Sequence, residues 1–536
     1  MKARRGRVLV PSLFAGLLLA LCVPPFGFWP LAFLGAALLY WRLAGLGLRA
    51  RVLAGWTAGL GCFVPGLWWA AAFNWYGAVV LILLEALFMA VAAALVPPRR
   101  LRVPAFAAAF TLLEALRMSW PFGGLPLGGV ALGQAGGPLL GAARLGGPFL
   151  LEALVWLGGA GLGAAAMVTI SRWLAPRGRG GKRPTMQRGV DGGIELEGGN
   201  GRTAGAIAAL VLTISLPLAG ALAPSGGVPT THLAVALVQG GGRRGTSALE
   251  VPPAHVLAAQ VDASRRLERQ RHPPALVVWP EDVIAVGPRL AGTAQAASMA
   301  RFARTLGATV VAGVTEDVSS TAFRNEAVVW APTGRIVGVY EKVHRVPFGE
   351  YVPDRAFFAH FADLSAVPLD AIPGHGSGEL ATPAGRIGVM LSYEVFFATR
   401  GRSAVRAGAR LLVVPTNTTS YATSQVPTME VAADRIQAVA EGRTLLQAAP
   451  TGYSTVVTAA GAVLQRSVLG RREVLQATVG LRDGRTVYEE LGDFPVLGLA
   501  GIVYGAVVTL IALGAARGHS ATGARRTRPP GQPPAQ

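Results

Sequence analysis

The chain has 536 residues, 52% hydrophobic and 15% charged, with a formal net charge of +20. Its length allows several domains, and its two cysteines, Cys22 and Cys62, both in apolar runs, exclude a disulfide framework or a cysteine metal site. The basic excess does not read as nucleic-acid binding: the arginines sit between apolar runs, as in membrane proteins, with no nucleic-acid motif and no aromatic–basic interleaving.

Seven apolar segments precede residue 224, near 8–23, 28–41, 52–73, 78–96, 103–118, 147–171 and 204–223, and an eighth lies near 495–515. A span needs about 20 apolar residues, so the first, second and fifth are short. The first follows basic residues as a signal peptide does. More runs follow it and no small-residue cleavage signature is evident, so it reads as a retained span. Four Lys/Arg fall in residues 2–7, three from Arg42 to Arg51, three from Arg99 to Arg102, seven from Arg172 to Arg202 and four from Arg517 onward. The intervening connections 24–27, 74–77 and 119–146 hold only Arg144. That asymmetry predicts both termini in the cytoplasm and residues 224–494 on the outer face.

Residues 1–223 therefore read as a membrane domain with about seven spans. Its connection 119–146 is rich in Gly and Pro and too apolar for a solvated loop. Irregular backbone at membrane depth survives only under cover of protein or around a cavity, so it reads as a re-entrant segment or an interfacial loop. Glu114 and Arg117, one turn apart, are placed to pair. Trp68-Trp69 and Trp75-Tyr76 fit an interfacial aromatic belt. A Gly/Arg-rich stretch at 176–202, inside the connection 172–203, reads as a flexible cytoplasmic linker.

The pattern changes over 231–487. Short β-rich runs occur at Leu233–Val238, Leu276–Trp279, Thr309–Val314, Ala327–Trp330, Ile336–Tyr340, Ile387–Leu391, Leu411–Val414, Leu445–Ala449 and Ser454–Thr458. Helical stretches lie between several of them, at Pro253–Arg271, Thr293–Leu306 and Thr428–Glu441. Apolar strands alternating with helices predict a sheet buried by helices. Residues 224–494 thus form one α/β domain, followed by a span at 495–515 and a disordered cytoplasmic tail at 516–536.

Four polar spots follow predicted strands: Glu281, Lys342, Ser392-Tyr393-Glu394 and Asn417. Strand C-termini are where α/β folds assemble sites. A carboxylate, a lysine and a hydroxyl brought together there would supply base, charge stabiliser and nucleophile. Lys342 stands out because only three lysines occur, Lys2, Lys182 and Lys342, among 49 basic residues. Lys2 and Lys182 sit among arginines. Lys342 ends an apolar run, where a compact ammonium and a forked guanidinium are not interchangeable. His344 reads as facing away from this cluster. His360 and His375 lie in a loop without carboxylates at metal-ligand spacing, so neither a metal nor a cofactor is expected.

Trp279-Pro280-Glu281, Glu341-Lys342 and a small residue before Tyr393-Glu394 resemble the nitrilase, or carbon–nitrogen hydrolase, superfamily. The phrase Val346-Pro347-Phe348-Gly349-Glu350-Tyr351-Val352-Pro353 resembles the apolipoprotein N-acyltransferase family within it. Val238-Gln239-Gly240, Asn325 and Glu441-Gly442-Arg443 fit the same pattern, as does the order of spans and outer domain. The resemblance covers nearly the whole chain except the linker and the tail.

It implies a multi-pass α-helical membrane domain plus an α/β nitrilase-like αββα sandwich, in a bacterial cell membrane. It implies that Glu281 is the general base and that Lys342 stabilises the oxyanion with the backbone N–H of Tyr393. Glu350 and Glu394 would orient Lys342 and the substrate. The family reaction takes an acyl group from a phospholipid and passes it, through a covalent acyl-enzyme, to the α-amine of a diacylglyceryl-modified N-terminal cysteine of an apolipoprotein. A lipid must leave the bilayer to reach such a site, so the apolar loop of Phe357, Phe358, Phe361 and Leu364 reads as a membrane contact. The family nucleophile is Cys, and this chain has Ser392, with no cysteine anywhere in 224–494. Three readings follow: Ser392 forms an acyl ester, it marks a paralogue without the chemistry, or it is a substitution that traps substrate. A non-catalytic paralogue would act as a membrane scaffold or lipoprotein-binding protein, with a polyprenol-phosphate mannose synthase as a partner. A membrane-tethered amidase is the remaining alternative.

Overall fold

The computed structural model describes residues 2–98, 101–174, 199–242, 250–361 and 363–526. Most of the expected linker falls at 175–198, outside the described residues.

Helices occupy all eight expected apolar segments: Lys2–Cys22, Pro30–Arg42, Leu48–Leu67, Trp75–Leu95, Arg102–Arg117, Ala143–Leu174, Gly199–Leu222 and Phe494–Arg526. Five stretches among the described residues are long and apolar enough to cross a bilayer: Leu48–Ala72, Trp75–Leu95, Pro138–Ser171, Thr203–Leu222 and Phe494–Ala516. The helices at the second and fifth segments are short, with 13 and 16 residues, and in the first the apolar part is confined to Val8–Cys22. The last helix runs on through Arg526, into the stretch whose composition reads as a disordered tail. Ala515, Ala516 and Ala521 favour continued helix there.

Small residues let these helices approach closely, as packing inside a membrane requires. Gly59 is the clearest case: a Cβ there would meet Ala86 Cα of Trp75–Leu95 at 2.6 Å. Buried charge also joins helices. Arg117 forks onto Glu114 at 2.6 and 2.7 Å and reaches Glu85 at 2.8 Å. The same guanidinium donates to the carbonyls of Leu125 and Leu127 at 2.7 and 3.0 Å. It thereby anchors the start of the connection 119–146. Further along, that connection forms the short helical turns Val130–Gly133, Gln134–Gly136 and Pro138–Ala142, largely buried under protein.

The second half of the chain is a sandwich of two sheets. One runs in the order Glu473–Leu481, Thr231–Gln239, Leu276–Val278, Thr309–Asp317, Ala322–Trp330, Ile336–Glu341, with Ile284–Val286 and Asp370–Ala371 added at its side. The other runs Val463–Arg466, Thr455–Val457, Leu445–Ala448, Leu411–Pro415, Gly385–Val389, Glu379–Thr382. Alternation along each strand sorts side chains to opposite faces. Val235, Leu237, Val278, Val311 and Val329 meet Ile387, Val389, Leu411, Val413 and Leu446 between the sheets. Ala236, Val238, Val277, Val310 and Val328 point outward onto the helices Pro253–Glu268 and Ala294–Leu306. On the far side, Leu412, Val414 and Val457 cover Ala398–Arg406 and Val426–Glu441. The four layers are helix, sheet, sheet, helix.

The outer layer Val426–Glu441 is buried nearly all round, from Val426 to Glu441. Its apolar residues belong to the same core as Leu19, Leu139 and Leu140 of the membrane half. The sandwich is therefore seated on the helices by a continuous apolar contact.

Gly59→Ala is expected to lower the melting temperature of the detergent-solubilised protein by an overpacking cost of about 1–3 kcal/mol. Gly205→Ala, where an added Cβ meets nothing within 4 Å, should leave it unchanged or slightly raised. Equal melting of both variants, followed by intrinsic fluorescence, would refute the close-packing account.

Candidate active site

Glu281 lies just past Leu276–Val278, in a turn continued by Asp282 at φ +55°. The turn presses against Gly313 of the neighbouring strand so closely that a Cβ on Gly313 would clash with Glu281 Cα. Lys342 ends the strand Ile336–Glu341, and only 1% of the residue is exposed. Its ammonium donates to Glu281 Oε1 at 2.9 Å and to Glu350 Oε1 at 2.6 Å. Asn325 Nδ2 donates to the same two oxygens, at 2.9 and 3.1 Å. The four groups close a ring of hydrogen bonds. The loop carrying Glu350 is fixed from behind, because Val346 N–H donates to Glu350 Oε2 at 2.9 Å.

Two carboxylates and one ammonium share this dry space. Burial pushes the Glu281 carboxyl up to about 8, against the pull of Lys342, with Asp282 and Glu350 adding to the rise. Burial acts to lower the Lys342 pKa, but the attraction of Glu281 and Glu350 outweighs it and holds the ammonium above its usual value. The lysine stays charged, and Glu281 is poised to exchange a proton near neutral pH.

Ser392 follows the strand Gly385–Val389 and opens the short helical turn Ser392–Phe396. It has φ +48°, a left-handed conformation that a residue with a Cβ adopts only under constraint. Such a sharp elbow presents a hydroxyl at the end of a strand. Its Oγ donates to Glu430 Oε1 at 3.5 Å, and Thr416 Oγ1 donates to that same oxygen at 2.7 Å. Lys342 is close enough for its charge to act on Glu430. The ring around Lys342 and the Ser392 elbow thus lie in one electrostatic neighbourhood.

Glu394 acts on Lys342 through the backbone. Its carboxylate accepts the N–H groups of Val343, His344 and Leu391 at 2.8, 3.0 and 2.8 Å, and the Tyr340 hydroxyl at 2.8 and 2.9 Å. Its oxygens are occupied by the fold. It straps the backbone beside Lys342 to the residue before Ser392, and so positions both without touching the ammonium. Asn417 likewise turns to Asp282, donating to Oδ2 at 3.2 Å, and braces the Glu281 turn. The Tyr393 hydroxyl donates to Gly124 O of the membrane half at 3.0 Å. The Tyr351 hydroxyl donates to Phe122 O, also at 3.0 Å. His344 stacks on Phe397 with ring centroids 4.3 Å apart, away from the ring. Glu430, Thr416, Tyr340 and Arg400 were not singled out by the sequence. Glu430 shares its helix with Asp434, Arg435, Gln437 and Glu441, so the sequence carries no signal that sets it apart.

The glutamate–lysine–glutamate ring and the strand-end elbow lie on a four-layer αββα sandwich, which is the carbon–nitrogen hydrolase fold. Residues 234–488 match the carbon-nitrogen hydrolase family model, and residues 15–161 match that of the apolipoprotein N-acyltransferase N-terminal domain. The chain is 30% identical over 523 residues to an apolipoprotein N-acyltransferase of Azotobacter vinelandii, covering 92% of this chain and 93% of the relative. It is 28% identical over 523 residues to one of Pseudomonas paraeruginosa, covering 92% and 94%. Saccharomyces cerevisiae Nit3, a nitrilase-superfamily structure, aligns with 47% of this chain and 92% of its own at 18% identity and a TM-score of 0.37. The chain belongs to the apolipoprotein N-acyltransferase family.

Lys342→Met leaves two buried carboxylates facing each other and is expected to cost about 3–5 kcal/mol of stability, read from thermal melting. An acid whose pKa rises on folding supports the fold fully below its unfolded value and loses that support as pH climbs through its folded value. The Glu281 contribution is therefore lost between about pH 4.5 and about pH 8. Glu281→Gln should reduce the drop in melting temperature between pH 5 and pH 8.5, and an unchanged drop would contradict the assignment.

Proposed function

We propose that this chain moves a fatty acyl group from a membrane phospholipid to the α-amine of the diacylglyceryl-cysteine of an apolipoprotein, through an ester on Ser392. The observation that carries this reading is the left-handed Ser392 elbow beside the charged Lys342 ring, in a chain that matches the family over 92% of its length. A decayed site has no reason to keep a buried lysine and two carboxylates, whose desolvation costs several kcal/mol per ion.

In this reading the Ser392 oxygen attacks the ester carbonyl of the phospholipid. A buried carboxylate, by family resemblance Glu281, takes the hydroxyl proton. Lys342 faces the developing oxyanion, joined by the N–H of Tyr393 in the first turn of the short helix, where N–H groups lack intrahelical partners. The glycerol oxygen leaves with a proton as lysophospholipid. The incoming amine then attacks the ester, gives up a proton, and the Ser392 hydroxyl is restored. The basic-residue asymmetry supports residues 224–494 on the outer face and both termini in the cytoplasm. The exposed aromatic rings Phe122, Phe348, Phe357 and Phe361 cluster on one side of the site, where a lipid tail would enter.

Full-length protein incubated with labelled phosphatidylethanolamine is expected to carry one acyl adduct on Ser392 by mass spectrometry, and to convert a diacylated lipopeptide into a triacylated one. Ser392→Ala should lose both, and Ser392→Cys should keep both. An inert wild type with an active Ser392→Cys would identify a paralogue without the chemistry. Turnover of soluble amides without acyl transfer would identify an amidase.

A further inference from the structure

A hydroxyl demands more of its base than a thiol does. A cysteine thiol has a pKa of about 8.5 and is partly ionised near neutrality, whereas a serine must surrender its proton as it attacks. The hydroxyl here faces Glu430. We propose that Glu430 is the catalytic residue that receives the Ser392 proton in this chain, the role that the family resemblance gives to Glu281. The proposal rests on the acyl-enzyme reading above.

Three features of Glu430 support it. Its Oε1 accepts from Ser392 Oγ at 3.5 Å, a reach typical of catalytic pairs that tighten only when substrate is bound. Thr416 Oγ1 pins that same oxygen at 2.7 Å, so the carboxylate cannot rotate away freely. Its other oxygen, Oε2, is buried without a hydrogen-bond partner, on a residue only 1% exposed. Leaving a buried carboxylate oxygen unsatisfied is costly, and no packing purpose is served by an acid there. Glu281, by contrast, has its Oε1 occupied by Lys342 and Asn325.

The electrostatics fit the task. Burial raises Glu430 to about 7, tempered by the hydrogen bond from Thr416, by Lys342 and by the hydrogen bond from Ser392. The other titratable groups that feel its charge are Asp434, one turn along the same helix, and Tyr421. Near pH 7 a large share of Glu430 is ionised and able to accept. In acylation the Ser392 O–H bond breaks and its proton passes to Glu430. The new bond joins Ser392 Oγ to the acyl carbon. The bond from that carbon to the glycerol oxygen then breaks, and the departing oxygen takes the proton from Glu430.

The test is the rate of Ser392 acylation by phosphatidylethanolamine in mixed micelles, with full-length protein. Glu430→Gln is expected to slow adduct formation by about 100-fold or more with little change in the donor KM, the scale of a lost general base. The wild-type rate should rise with pH through about 7, and that limb should vanish in Glu430→Gln. Combined with Ser392→Cys, the same Glu430→Gln change should cost less than about tenfold, because the thiol ionises without it. Equal loss in both nucleophile backgrounds would make Glu430 structural and overturn the proposal, as would wild-type rates in Glu430→Gln. A wild type that forms no adduct at all would overturn the acyl-enzyme reading and this assignment together.

Discussion

The buried ammonium of Lys342 is the constraint on which the sandwich depends. It donates to two carboxylates that the Asn325 amide also bridges, and the three partners come from different segments: the turn after Leu276–Val278, the strand Ala322–Trp330 and the loop at Glu350. A charge taken out of water is tolerable only when its partners are fixed in advance. The surrounding fold supplies that fixing. Gly313 lets the Glu281 turn close up, Val346 ties back Glu350, and Glu394 secures the backbone that follows Lys342. Each of these spends a hydrogen bond or a close contact on geometry.

The second device is the elbow at Ser392. Its left-handed backbone is maintained by Glu394 behind it, by the buried turn Ser392–Phe396 and by the Tyr393 contact with the membrane half. Its hydroxyl looks toward a different carboxylate from the one beside Lys342. Lys342 follows a strand of one sheet, whereas Glu430 belongs to the helix Val426–Glu441 that covers the other.

Much of the fold was legible in the sequence, for a physical reason. The core strands are covered on both faces, so Leu276–Val278, Thr309–Asp317 and Leu411–Pro415 read as unbroken apolar runs. Val463–Arg466, Glu379–Thr382 and Glu473–Leu481 lie at or near sheet edges, partly exposed and mixed in polarity, and propensity alone did not reveal them. Glu281, Lys342 and Ser392 were legible because polar residues at the ends of apolar strands are conspicuous. Glu430 was not, because its helix gives no hint of which face meets Ser392. The partners of Glu394 and Asn417 were not legible, because groups far away in the chain decide where a carboxylate or amide points.

The two phenols that cross from the sandwich to the membrane half deserve a mechanical reading. Tyr393 follows Ser392, Tyr351 follows Glu350, and both hold carbonyls of one stretch, Phe122 to Gly124. That stretch acts as a double latch under the site. Parting these two contacts would forfeit two hydrogen bonds, each worth about 0.5–1.5 kcal/mol net, beside the apolar contact that seats the sandwich. Because both clasps share one ribbon of backbone, a shift of Phe122 to Gly124 would bear on the Ser392 turn and the Glu350 loop together.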